Sequence, residues 1–228
     1  MTDELAALHT ATRILVRGVD ALGDADLAAP SLLPGWTRAH VVAHLALNAE
    51  ALAGVLRAAA AGTATPMYAS QERRDADIEA LADEAPARVR DRFLASCTAF
   101  QDALDHLPAD AWKTSFERTP GGQVLSLVEV PTMRRREVEI HHADLDHGYD
   151  PADWPEEFVD AVFNRVVHDR EGGDALLLRT PDGDVPLGDG TGPIVTGSRV
   201  DLAWWLLGRG RGEGLTADPA LPTLGAWR

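Results

Sequence analysis

A single cysteine, Cys97, occurs among the 228 residues, so no internal disulfide can form and a reducing, cytoplasmic setting is expected. It falls in RFLASCTAF, where the helical spacing of apolar residues marks it as a core thiol. Positive charge is scarce too: 21 basic residues stand against 36 acidic ones, a formal charge of −15. That balance excludes the basic footprint of a nucleic-acid binder or of a protein held on an anionic membrane. No uninterrupted apolar segment reaches the roughly 20 residues that cross a bilayer. The opening MTDELAALHTATRILVRGVDAL carries charges every few residues and reads as a helix rather than a signal peptide. Neither G-x-G-x-x-G nor G-x-x-x-x-G-K-[ST] is present, which excludes the common glycine-rich phosphate cradles, and no internal repeat is visible.

What is present suits a well-packed core: 45% of the residues are hydrophobic, enough for one large domain or two small ones, and two are favoured. Leu5, Leu8, Ala11, Leu15 and Val19 trace the buried stripe of a first helix running to about Leu22, capped by Thr2 or Asp3. GDADLAAPSLLPGW reads as a turn-rich connection, and Thr37 as the N-cap of a strongly apolar second helix that fades at Gly62. GTATPMYASQERRDADIEA looks like a loop leading into a helix, a usual place for a lid or substrate loop. Val89, Phe93, Leu94, Cys97 and Phe100 predict a third long helix from about Ala87 to Leu107. WKTSFERTPGGQ, around Pro-Gly-Gly, reads as an irregular excursion or a small hairpin. A fourth helix begins near Leu125, with Pro131 either kinking it or marking its first turn, and Gly148 ending it. Beyond YDPADWPEEF the character changes: a helix from about Pro155 to Arg170, short strand-like runs around ALLLRT, Val185 and Ile194, then a capped helix in SRVDLAWWLLGRG. The expected fold is mainly α, a four-helix bundle over 1–150 followed by a smaller α+β domain over 151–228.

Chemistry concentrates in the fourth helix, in RRREVEIHHADLDHGY. Glu137 and His141 are four residues apart and share a helical face, with Asp144 one turn further on, where it can orient an imidazole. Carboxylate oxygen and imidazole nitrogen suit a divalent metal of the zinc type, but two ligands do not close a site. A third is expected from the second helix, where His40 and His44 are also four apart and Asn48 continues their stripe. Helical phase does not separate His40 from His44. His142 and His147 lie off the ligand face and are expected to be solvated.

LPGWTRAHVVAHLALNAEAL, RREVEIHH and GPIVTGSRVDLAWWLLGRG together resemble the mycothiol-dependent maleylpyruvate isomerase family, nearly end to end. The resemblance implies a DinB-like four-helix bundle whose metal, zinc by expectation, is held by His44, Glu137 and His141. It also implies a functional arginine near the C-terminus, best matched by Arg209, with Arg211 equal to it by chemistry. The implied activity is a cis–trans isomerisation of maleylpyruvate to fumarylpyruvate, with mycothiol as the thiol cofactor and a dicarboxylate as the small-molecule substrate. Manganese, iron and nickel accept similar ligands. Two other readings stay open: an S-transferase or conjugase using mycothiol, bacillithiol, glutathione or ergothioneine, and a non-catalytic regulatory or stress module on the same bundle.

Overall fold

The computed structural model describes residues 2–173 and 175–224. It is mainly helical, and its contacts divide it into two compact units, Met1–Tyr149 and Asp150–Arg228.

In the first unit α1 (Thr2–Ala21) buries Leu8, Ala11, Leu15 and Val19, the stripe its sequence spacing dictates, while Asp3 and Glu4 complement the dipole of its first turn. The turn-rich connection contains a one-turn helix, α2 (Asp24–Ala28), which buries Leu27; the Asp26 carboxylate accepts the Gly23 amide 2.8 Å away, satisfying one of the donors left open at a helix start. Next come α3 (Arg38–Ala60), α4 (Gln71–Ala82), α5 (Pro86–Asp105) and α6 (Val130–Asp144). α3 is the central element, packed by α4, α5 and α6, and α1 covers the other side of α6. By length and composition α3 could cross a membrane, with mean hydropathy 1.4 over its most apolar window, although four polar residues interrupt it; 72% of that window is buried inside the unit, as for a core helix. Leu45, Leu52 and Leu56 are wholly buried there, each contributing about 1.5–3 kcal/mol. Between α5 and α6 a short hairpin, β1 (Ser115–Glu117) with β2 (Val124–Ser126), pairs antiparallel. The segment before α4 docks onto its end through Met67 N–H to Glu117 O (2.8 Å) and Tyr68 N–H to Arg118 O (2.9 Å).

α6 is unusual in burying charge all round: Arg134, Arg135, Glu139, His142 and Asp144 are all under a tenth exposed, and such residues are rarely buried unless paired. Pro131 lies in its first turn, where a missing amide costs nothing. The helix ends at Asp144 rather than running to Gly148, because Asp146 takes the left-handed conformation (φ 51°), which aspartate tolerates better than most side chains. The Arg38 guanidinium then donates to the freed carbonyls of Leu145 and Asp146. A basic side chain from the start of α3 thus caps the end of α6, so the two helices run antiparallel. Arg134 donates back from α6 to Leu45 O (2.9 Å) and Asn48 Oδ1 (2.8 Å) on α3. These two arginine clamps set the register of α3 against α6.

In the second unit α7 (Glu156–Asp169) packs on α8 (Arg199–Leu206), whose Ser198 hydroxyl caps it by accepting from the Asp201 amide. A four-stranded sheet has the order β4 (Gly183–Leu187), β3 (Leu176–Thr180), β5 (Ile194–Thr196), β6 (Thr216–Asp218). β3 and β5 are parallel and the outer pairings antiparallel.

Candidate metal centre

The arginine clamps bracket one place where α3 and α6 face each other with polar side chains. His44 lies six residues into α3, about 9 Å along it at 1.5 Å per residue, and there it meets the Glu137–His141 face of α6. His44 Nε2 is 2.8 Å from Glu137 Oε2, and His141 Nε2 is 3.2 Å from the same oxygen. The two imidazoles meet edge to face with centroids 4.6 Å apart. One donor atom from each of the three residues lies within 4.8 Å of the others, a spacing that a single metal ion can bridge.

The remaining nitrogens are engaged as well. His141 Nδ1 pairs with Asp144 Oδ2 at 2.8 Å, and Asp144 is completely buried, so its carboxylate fixes the ring and turns Nε2 toward Glu137. His44 Nδ1 receives the Arg74 guanidinium of α4 at 3.0 Å, and the Trp36 ring leans on His44 with centroids 5.9 Å apart. Burial pushes the His44 pKa down to about 4, with Glu137 only partly offsetting it, so the ring is neutral at pH 7. Burial alone would raise Glu137; the imidazoles of His44 and His141 outweigh it and hold the carboxyl well below its usual range. Burial likewise opposes charge on His141, but the hydrogen bonds to Asp144 and Glu137 prevail and raise its pKa.

His40 takes no part. Its Nδ1 accepts from the Thr37 amide (3.3 Å) and pairs with the Thr37 hydroxyl (2.7 Å), the N-cap of α3, while its Nε2 faces Glu79 at 3.2 Å. The structure therefore separates two histidines that helical phase leaves equivalent. His142 is a correction: it is 3% exposed, not solvated, because the opposite face of α6 is covered by α1 rather than by water. His147 is half-buried. Asn48 sits below the triad and joins Arg134 to Tyr68, its Nδ2 lying 3.5 Å from the phenol oxygen. Cys97 is partly buried against the core, and burial raises its pKa, which keeps it a thiol. Arg209 stands in the second unit between Gly208 and Gly210, both with positive φ, and its Nη1 donates to Leu207 O at 2.8 Å. Arg211 is exposed.

The Mycothiol maleylpyruvate isomerase N-terminal domain family matches residues 8–146, more than half of the chain and all three residues of the triad. The chain belongs to this family. Two solved structures of mycothiol-dependent maleylpyruvate isomerase, one of them a histidine-to-alanine variant, superpose with TM-score 0.91 at 28% and 27% identity, covering 99% of this chain and 96% of theirs. No curated protein sequence matches it significantly. Family and fold together place the protein among enzymes of the isomerase class.

Two residues at the centre escaped the sequence reading. Arg74 lies in QERRDADIEA, a run of alternating charge that looks like a solvated face, and only the approach of α4 to α3 turns it onto His44. Arg134 is wholly buried between α3 and α6, although its sequence context of three consecutive arginines suggests the opposite.

Proposed function

We propose that the protein is a metal-dependent, thiol-dependent cis–trans isomerase that converts maleylpyruvate to fumarylpyruvate with mycothiol as the thiol. The observation that carries this reading is the triad itself, an ionised carboxylate between two imidazoles, in a family whose solved members perform that reaction with that thiol.

The residues fit a divalent cation, with zinc the natural occupant of two nitrogen donors and one oxygen donor. Glu137 supplies negative charge with no arginine or lysine ion-paired to it among the described residues. His44 is neutral and so offers a lone pair, and Asp144 aims His141. Three protein ligands leave a position open for a reactant, the mark of a catalytic rather than a structural zinc. Bound there, the metal would supply a thiolate at neutral pH by lowering the pKa of a thiol. The thiol supplies a nucleophile that adds to the cis double bond and, after rotation about the resulting single bond, leaves again, so that it returns unchanged. The chain's own contribution is to hold the donors. Glu137 and Asp144 keep negative charge around His141, Trp36 covers His44, and Asn48 with Arg134 prevents α3 from sliding along α6. Arg209 is proposed to meet a substrate carboxylate through its planar guanidinium, with Arg211 the alternative on the same turn. A cytoplasmic setting, where low-molecular-weight thiols stay reduced, completes the reading.

The test is turnover of maleylpyruvate by metal-stripped and zinc-reloaded protein against a panel of mycothiol, bacillithiol, glutathione and ergothioneine. The expected result is fumarylpyruvate formation that needs both zinc and mycothiol, with the thiol recovered in full. Stoichiometric loss of the thiol would make the protein an S-transferase, and indifference to both metal and thiol would overturn the enzymatic reading.

A further inference from the structure

Arg74 makes a hydrogen bond that cannot survive metal loading. A neutral imidazole carries one N–H, and a guanidinium can only donate. With Arg74 Nη2 3.0 Å from His44 Nδ1, the lone pair is on Nδ1 and the ring proton is on Nε2, directed at Glu137 Oε2. A metal held by the triad takes its lone pair from Nε2, so the proton moves to Nδ1 and two N–H groups would then face each other. The guanidinium has to turn away from His44.

Its surroundings decide what it then meets. The Arg74 Nε is buried and has no hydrogen-bond partner, and the carboxylate paired with the guanidinium is Asp75, itself more than half exposed and so a weak competitor. The guanidinium carbon lies 5.7 Å from the Tyr68 ring centroid, and that of Arg118 lies at the same distance from the same ring. Among the described residues no ion pair engages Arg118. Tyr68 is held on the hairpin by its backbone, and burial raises its pKa, so it presents a neutral phenol that can donate to an anion. In a chain of net charge −15, two guanidiniums and a phenol beside a cation-binding triad form a local site for negative charge.

We propose that Arg74 is a substrate-binding residue: displaced from His44 Nδ1 when the triad takes its metal, it receives a carboxylate of a small dianion, with Arg118 across the Tyr68 ring as the second cation. The inference rests on the isomerase reading, whose substrate carries two carboxylates. It also couples the two ligands, because metal loading frees the guanidinium that the dianion needs.

The experiment measures zinc uptake by equilibrium dialysis and, without any thiol, the binding of maleate, a cis-dicarboxylate, to wild type, Arg74→Met and Arg74→Lys. Arg74→Met should take up zinc at least as tightly as wild type, since no hydrogen bond to His44 has to be broken. Its loaded form should bind maleate about tenfold more weakly or worse, the usual loss for a charge-assisted hydrogen bond, and Arg74→Lys should recover part of that loss. Unchanged maleate binding by loaded Arg74→Met overturns the proposal. So does weaker zinc uptake by that variant, which would make Arg74 an orienting partner of His44. Should Arg74→Met fail to fold, judged by its melting curve, Arg74→Gln keeps a polar side chain without the charge and is read by the same two measurements. A wild-type chain that takes up no zinc removes the reading of the triad and the inference with it. Zinc uptake and turnover by wild type, with either Arg74 result above, removes the inference alone.

Discussion

His141 and His142 are neighbours in sequence on opposite sides of α6, and the two sides solve the problem of buried charge differently. On the side of α1, Glu139 accepts from the Tyr149 hydroxyl and faces Arg135 at 3.9 Å, Arg135 also reaches Glu4 at 3.4 Å, and the His142 ring stacks on Tyr149 with centroids 3.9 Å apart. The packing is closed: a Cβ on Gly18 would stand 2.6 Å from His142 Nε2. On the side of α3, Glu137 is half-buried against two imidazole nitrogens and no guanidinium pairs with it among the described residues. Each buried carboxylate needs positive charge. The first has it from the protein as arginine, which makes that side architecture. The second is met by two imidazole nitrogens whose ring protons a metal would replace, which makes it a site.

The largest effect should come from removing one member of the α3-side triad. A complete protein zinc site is worth about 10–16 kcal/mol, so one ligand of three should account for roughly 3–5 kcal/mol, about a few hundredfold to several thousandfold in affinity. His44→Ala, Glu137→Ala and His141→Ala should therefore emerge from zinc dialysis almost empty, while His142→Ala stays loaded. Zinc retained by Glu137→Ala would erase the distinction between the two sides. Next, Glu139→Ala should cost about 3–4 kcal/mol in urea unfolding, because it strips a buried arginine of one partner, yet leave zinc uptake by the folded fraction intact; Glu4 keeps the loss toward the lower end of the usual range. Third, acid should act through His44. Its folded pKa of about 4 lies below the unfolded 6.5, so between those values the unfolded chain binds a proton that the native chain refuses, and stability falls as pH falls. At about 1.4 kcal/mol per unit the metal-stripped protein should lose up to about 3 kcal/mol across that window. His141 acts elsewhere: its raised pKa contributes stability that is complete below 6.5 and fades as pH rises through the folded value. Unfolding at pH 6.5 and 4.5 checks this, and His44→Gln should abolish the drop where His142→Gln does not. The smallest effect is expected at Gly18→Ala, where the clash with His142 is partly offset by better helix propensity, a net loss of about 1 kcal/mol in melting experiments with zinc uptake unchanged.

The main helices were legible because their apolar periodicity is strong, as in Leu8, Ala11, Leu15 and Val19 of α1. Glu137 and His141 were legible as a pair because four residues is one helical turn. His142 was misread for the same reason: the phase argument assumes water on the far face of α6, and α1 is there instead. RRREVEIHHAD offers only Val138, Ile140 and Ala143 as apolar signals of burial, because this helix also buries paired charge. Arg74 and the choice between His40 and His44 depend on tertiary approach, of α4 in one case and of the Thr37 cap in the other, and local spacing carries no record of either.

The order in which the helices are made gives the clamped α3–α6 pair a history. α3 is the most apolar helix of the unit, and the long helices that cover it, α4, α5 and α6, all follow it in the chain. At about 5–20 residues per second, the interval from Ala60 to Asp144 takes on the order of 4 to 17 seconds. Throughout that time a nascent α3 lacks its full set of covering helices and the other two members of the triad, Glu137 and His141. A chain stopped after Asp105 should accordingly bind no zinc and need a holding chaperone to stay dispersed, and only the arrival of α6 both seals the core and completes the triad.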